Sequence, residues 1–223
     1  MDQFIAQSMK VKIEFIFLIL LSFTVTILIK AVRQLCFLRQ IDINIGFRRN
    51  LLIFLAGLSM LITPGGMGQV LKSHFLLKYY GQPISKTLPV VFVERYHDVL
   101  ALFSFLLIFS LLGVITIYTI PIIIIGVVSF TIIPIVKNKR LYILVRNKFK
   151  KVYFLKSFEN SSLEFNTSLF ELFKGKNLII GWSLSLSAWF FEAVGIFLCF
   201  ISFGFDIPFV VTTAFGFSSR HFG

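Results

Sequence analysis

The most informative part of the chain is residues 51–113, LLIFLAGLSMLITPGGMGQVLKSHFLLKYYGQPISKTLPVVFVERYHDVLALFSFLLIFSLLG. Its first apolar run, Leu51–Ile62, is too short to cross a bilayer as a helix, which takes about 20 apolar residues. The run ends at Thr63-Pro64-Gly65-Gly66. Proline and glycine interrupt helical hydrogen bonding, and a membrane tolerates such backbone only where protein or a watery cavity surrounds it. We therefore predict a re-entrant hairpin over residues 51–71.

Composition places the chain among integral membrane proteins. Its 223 residues are 57% hydrophobic and 14% charged, with a mean hydropathy of +0.89, whereas a soluble domain has about 25% charged residues. The net charge of +12 is typical of cytoplasmic loops that face anionic lipid. No basic motif with interleaved aromatic residues indicates a nucleic-acid partner. Cys36 and Cys199 lie far apart, and no Cys/His spacing fits a metal, so we predict neither metal nor cofactor.

Apolar length and basic loops predict the topology. Lys30 and Arg33 end the first predicted span and are expected to snorkel to the interface. Arg48 precedes the hairpin and Lys78 follows it, so the positive-inside rule places both of its ends in the cytoplasm. The basic loop 137–176 is also predicted to be cytoplasmic, either as amphipathic helices on anionic lipid or as a solvated helical hairpin. The predicted spans cover about 13–33, 87–112, 120–136 and 178–203.

The helix that follows the glycine break has the features of an anion site. The free N–H groups of a helix N-terminus attract negative charge. The side-chain amide of Gln69 and the ammonium group of Lys72 follow within the first turns. The alternative is a kink that lets helices pack closely. The candidate substrate-binding residues here are Pro64, Gly65, Gly66, Gly68, Gln69 and Lys72.

Ionisable residues occupy the next apolar helix. Glu94 and Asp98 are spaced i,i+4 and share a face, and Arg95 reaches Asp98 at i,i+3. Ionisable groups inside a span indicate a site for a polar ligand or an ion, and the alternative is a structural ion pair that pins the hairpin. His97 lies off that face and is interpreted as an interfacial residue. Glu192, near the centre of the last span, is a further candidate ligand or a packing partner for an arginine or hydroxyl.

Two spaced motifs carry a family resemblance. The stretch 56–102 resembles the first half of the flippase-like membrane domain of lysylphosphatidylglycerol synthases, whose pattern is T-P-G-x-x-G-E-x-x-K, then a G-x-P turn, then V-x-x-E-R-x-x-D. The chain departs from this pattern at Gln69, where the family usually has glutamate. It matches at Thr63, Pro64, Gly65, Gly68, Lys72, Gly81, Pro83, Val91, Glu94, Arg95 and Asp98.

The resemblance implies a lipid-handling function. It implies a flippase that moves a phospholipid or a polyprenyl-phosphate-linked lipid in a prokaryotic plasma membrane, with anionic or phosphate-bearing lipids as partners. The alternative is an accessory subunit that presents lipid to a partner glycosyl- or aminoacyl-transferase. Because no nucleophile is positioned beside a base, and nothing positions a substrate bond, we do not expect an enzyme.

The resemblance also bears on the two ends of the chain. The family has one more helix before Ile13 and a second glycine-rich break after the last residue, and the two breaks form an inverted repeat. The expected fold class is therefore all-α: a single domain, 1–223, which is a polytopic helical membrane bundle with a re-entrant broken-helix hairpin and half of the inverted repeat. Truncation at both ends is expected, and a nonfunctional truncated fragment is a third hypothesis.

Overall fold

The computed structural model describes residues 13–59, 70–111, 119–138 and 162–204, which form seven α-helices and no strand. The predicted all-α class is thereby confirmed, and the helices fit a helical membrane bundle. The helices are α1 (Ile13–Gln40), α2 (Phe47–Ser59), α3 (Val70–Tyr80), α4 (Ile84–Leu111), α5 (Thr119–Lys137), α6 (Ser162–Leu172) and α7 (Gly175–Ser202).

Two of the described helices are long and apolar enough to cross a membrane. They are Glu14–Gln40 within α1 and Gly175–Ser202, which is α7, with mean hydropathies of 2.5 and 2.0. Helix α4 has the same length as α7, 28 residues, but it carries Glu94, Arg95 and Asp98 near its middle. The four spans, the re-entrant hairpin and the cytoplasmic loop stay predictions.

The chain divides into two compact units. Unit 1 comprises Met1–Lys30, Leu100–Gly126 and Leu184–Gly223, and unit 2 comprises Ala31–Val99 and Val127–Ser183. Helices α1, α4, α5 and α7 each contribute residues to both units.

In unit 1, hydroxyl groups of α1 bond to the backbone of α7. Ser22 Oγ donates to the Phe191 carbonyl at 2.5 Å, and Thr26 Oγ1 donates to the Ala188 carbonyl at 3.3 Å. Small polar side chains commonly hold helices together in this way inside membranes. These bonds fix α1 against α7 within the unit.

In unit 2, a tight turn after α1 and the side-chain amide of Asn50 hold α2 against α1. Asp42 adopts a left-handed conformation, with φ of 57°, and the Ile43 amide donates to the Leu38 carbonyl at 2.9 Å. This is the Schellman pattern that ends many helices. Asn50, which is buried, then donates from Nδ2 to the Ala31 carbonyl at 2.7 Å. The loop therefore returns the chain directly onto α1.

Helices α2 and α3 pack against each other where the hairpin is predicted. A Cβ atom on Gly57 of α2 would lie only 2.7 Å from Cγ of Lys72 on α3, so the glycine permits the close approach. Helix α3 ends at Tyr80, and the next residue, Gly81, has a φ of 65° that glycine adopts readily. The bend itself, at residues 60–69, lies outside the described residues.

The predicted hairpin can be tested by thiol labelling. In a parent without native thiols (Cys36→Ser and Cys199→Ser), Arg48→Cys and Lys78→Cys should react with a membrane-impermeant reagent only after cells are permeabilised. The reason is that a re-entrant hairpin returns both basic ends to the cytoplasm. Labelling of Lys78→Cys in intact cells, with Arg48→Cys still protected, would show that the segment between them spans the membrane.

Part of the basic segment forms helix α6, which packs on α4 in unit 2. The ring of Phe165 meets that of Phe92 edge-on, with centroids 6.2 Å apart. Ser85 Oγ donates to Glu164 at 2.6 Å. Leu172 is fully buried. One face of α6 therefore covers protein, while the placement of the whole segment on lipid or in water stays a prediction.

Candidate functional site

Two buried ion pairs meet on one face of α4. Lys72 Nζ lies 3.0 Å from Glu94 Oε2, and Arg33 Nη1 lies 2.6 Å from Asp98 Oδ1. Because Glu94 and Asp98 are one helical turn apart, the spacing i,i+4 turns both carboxylates toward the neighbouring helices. Helix α3 supplies the lysine and α1 supplies the arginine. All four residues belong to unit 2.

The side chain of Lys72 packs against residues of α2 and α4. Its side chain is 2% exposed, its stem runs beside Gly57, and its ammonium group lies 4.3 Å from the centre of the Phe54 ring. Attraction to the face of an aromatic ring adds to the attraction of Glu94. The sequence analysis predicted Lys72 as a ligand of an anion beside the glycine break. Its described contacts are with Phe54, Gly57 and Glu94.

Arg95 has a different environment from the two buried cations. Its side chain is 51% exposed, and its Nη2 lies 3.5 Å from Asp98 Oδ2. Asp98 therefore lies between two guanidinium groups, with Arg33 the nearer. We name Arg33, Lys72, Glu94, Arg95 and Asp98 the charge cluster. Its three cations and two carboxylates give a formal charge of +1.

Arg33 forms a buried ion pair that its sequence context does not predict. The residue was expected to snorkel out of the membrane, but its side chain is 1% exposed and pairs with Asp98 inside unit 2. Glu94 also lies within electrostatic range of it. A single arginine near the end of an apolar run gives no signal of an acidic partner that lies 65 residues away.

His97 is part of the core, so its interpretation as an interfacial residue is wrong. The ring is fully buried, and its centroid lies 5.3 Å from that of Phe37. The His97 Nδ1 lies 2.7 Å from the Val93 carbonyl oxygen. A Cβ on Gly181 would lie 2.5 Å from Nε2 of the histidine. His97 therefore packs the helices that carry the cluster.

Several buried polar atoms of unit 2 have no hydrogen-bond partner in the described part of the chain. They include both amide atoms of Gln34, Oγ of Ser73 and Oε1 of Glu94. Most buried polar atoms in proteins are paired, and an unpaired one is costly. Such atoms are therefore candidate contacts for a polar ligand.

The remaining candidates lie elsewhere. Glu192 belongs to unit 1, where its Oε2 lies 2.9 Å from Lys30 Nζ. The same ammonium group lies 5.0 Å from the centre of the Trp189 ring. Glu192 thus forms an ion pair with a lysine. The candidates Pro64, Gly65, Gly66, Gly68 and Gln69 lie outside the described residues.

Within the described ranges, no group of three or more His, Cys, Asp or Glu residues could hold a metal ion. The described cluster instead combines two carboxylates with basic side chains, two arginines and a lysine. Such a set can exchange ion pairs with a charged ligand, because each cation can accept either a carboxylate or a phosphate oxygen.

Comparison with known proteins identifies the family. The family model for the lysylphosphatidylglycerol synthase TM region matches residues 1–219, which confirms the resemblance seen in the two motifs. Searches of curated proteins and of solved structures found no match. The family and the two apolar helices indicate a lipid-related protein located in the membrane. The chain therefore belongs to the lysylphosphatidylglycerol synthase TM region family.

Proposed function

We propose that this chain moves phosphate-bearing lipids between the leaflets of a prokaryotic plasma membrane, as a multi-pass flippase. The charge cluster handles the lipid head group while the acyl chains stay in the bilayer. The observation that carries the proposal is the pair of buried ion pairs on α4, Lys72–Glu94 and Arg33–Asp98.

Burial makes these charges costly, which supports a functional role. Two well-packed apolar residues are often as stabilising as a buried ion pair, because taking both ions out of water is expensive. In membrane proteins, ionisable side chains inside the bundle commonly mark the pathway of a polar substrate. Here two such pairs lie on adjacent turns of one helix.

The charge and the hydrogen-bonding groups of the site fit a phosphodiester. A phosphodiester carries one negative charge and would neutralise the cluster's formal charge of +1. Lys72 and Arg33 can exchange their carboxylates for phosphate oxygens, which form strong charge-assisted hydrogen bonds. While no lipid is bound, Glu94 and Asp98 keep the two cations paired. The unpartnered Gln34 and Ser73 atoms can bond to the rest of the head group.

The glycine break adds to this site in the same proposal. Backbone amides near Gly66 and Gly68 would bind phosphate at the start of the new helix. Gln69 would offer a further hydrogen bond, and Lys72 follows three residues later, on α3. Glu192, which belongs to unit 1, would form a second binding site for the head group.

Transport in proteoliposomes tests the proposal. Wild type should move fluorescently labelled phosphatidylglycerol from the inner to the outer leaflet, where dithionite quenches it. The double variant Lys72→Met with Glu94→Met, which leaves no uncompensated charge, should be slower by about tenfold or more, because a charge-assisted hydrogen bond contributes about 1.5–3 kcal/mol. The matched control removes the exposed pair Lys174–Glu171 by Lys174→Gln with Glu171→Gln and should retain wild-type rates.

Equal rates in wild type and the Lys72–Glu94 double variant would contradict the role of the cluster. A wild-type protein that binds labelled lipid without moving it would instead favour the accessory subunit that presents lipid to a transferase.

A further inference from the structure

One face of α4 combines two apolar side chains with an arginine, and all three are exposed. Phe92 is 48% exposed, Val99 is 41% exposed, and the Arg95 side chain between them is 51% exposed. Their spacing of three and four residues places them on the same side of the helix. We name Phe92, Arg95 and Val99 the Arg95 face. It lies within unit 2.

Arg95 is the cluster cation that an external molecule can reach. Arg33 and Lys72 are fully buried, and each has a carboxylate within 3.0 Å. Arg95 instead has a single ion pair among the described residues, at the longer distance of 3.5 Å. A guanidinium group carries more N–H donors than this one ion pair uses, so Arg95 can bind a further anion.

In a bilayer, such an arginine requires an anionic partner or a route to water. Ionisable residues of membrane helices almost always face the protein interior or a watery cavity, yet this one lies between apolar side chains near the middle of a 28-residue helix. The formal charge of +1 on the cluster is complementary to the single negative charge of a phosphodiester. A guanidinium group can bind two phosphate oxygens at once.

We propose that the Arg95 face is the docking site at which a phospholipid reaches the charge cluster sideways from the bilayer. The phosphodiester binds Arg95, and the acyl chains lie along Phe92 and Val99. Asp98, which contacts both Arg95 and Arg33, connects the docked head group to the buried cation. This inference rests on the proposed function and adds the residue that first binds the head group and the face of α4 from which the lipid arrives.

Native mass spectrometry of the full chain in detergent micelles tests the docking site. The probes are phosphatidylglycerol, diacylglycerol with the same acyl chains, and inorganic phosphate. Wild type should retain phosphatidylglycerol in preference to both other probes, because head group and chains are bound together. Arg95→Gln should weaken phosphatidylglycerol binding about tenfold or more. Arg95→Lys should bind this lipid with an affinity between those of wild type and Arg95→Gln, because lysine keeps the charge but lacks the planar fork.

The matched control is Lys174→Gln. Lys174 is also an exposed cation with an acidic partner three residues away, Glu171, so its replacement changes the net charge equally and should leave lipid binding unchanged. Both buried ion pairs persist in Arg95→Gln, so its helical circular dichroism and thermal midpoint should match wild type.

Equal retention of phosphatidylglycerol by wild type and Arg95→Gln would overturn the docking site and show that Arg95 only snorkels to the interface. Retention of inorganic phosphate as strong as that of the lipid would also overturn it, since the acyl chains would then contribute nothing. The proteoliposome assay separates this result from the proposed function. Lipid movement that depends on the Lys72–Glu94 pair but not on Arg95 would leave the flippase proposal standing.

Discussion

Replacing Arg33 by leucine is expected to destabilise the folded chain by about 3–5 kcal/mol, because losing one partner of a buried ion pair leaves the other charge uncompensated. The Asp98 side chain is buried, and it would lose the guanidinium group that lies 2.6 Å away. Arg95, at 3.5 Å and half exposed, is a weaker substitute. Arg33→Lys should recover part of the loss, since it restores the charge but not the planar fork.

The free energy of unfolding in detergent, followed by circular dichroism, measures this effect. Arg39→Leu is the control, because Arg39 lies on the same helix and is exposed. Arg95→Leu should cost less than Arg33→Leu, since partly exposed ion pairs contribute little. Equal losses for Arg33→Leu and Arg39→Leu would mean that the Asp98 contact contributes nothing to stability.

Lys72→Met is expected to destabilise the chain by a similar amount, about 3–5 kcal/mol, because Glu94 would then be a buried carboxylate without its cation. Adding Glu94→Met should reverse most of this loss, because replacing a buried ion pair by apolar residues is often neutral or stabilising. The two changes should therefore be strongly non-additive, as expected for residues in contact. A methionine at position 72 also fits the space beside Gly57 and Phe54.

A double-mutant cycle on wild type, the two single variants and the double variant measures this coupling. Glu94→Met alone should also be destabilised, since Lys72 would remain buried beside Phe54 without its carboxylate. Additive losses, with the double variant the least stable of the four, would contradict the paired arrangement. A stable double variant that no longer moves lipid would assign the pair to function instead of stability.

The sequence alone predicted the all-α class and the family. Membrane character follows from composition and from the lengths of apolar runs, which are local properties of the chain. The sequence also placed Glu94 and Asp98 on one face, because helical periodicity fixes which residues point the same way. The two motifs around Pro64 and Arg95 led to the family that the family model then matched over residues 1–219.

The pairing of the charged side chains, in contrast, is visible only in the folded chain. Lys72 pairs with Glu94 across 22 residues, Arg33 with Asp98 across 65, and Lys30 with Glu192 across 162. Hydropathy and periodicity describe each helix by itself and carry no information about its neighbours, so Arg33 was expected to reach water instead of an acid. Packing also explains the glycine at position 57, because a Cβ atom there would collide with the side chain of Lys72. Long-range pairing depends on how helices approach one another, and that is the physical reason why the partners of the charge cluster emerged only from the folded chain.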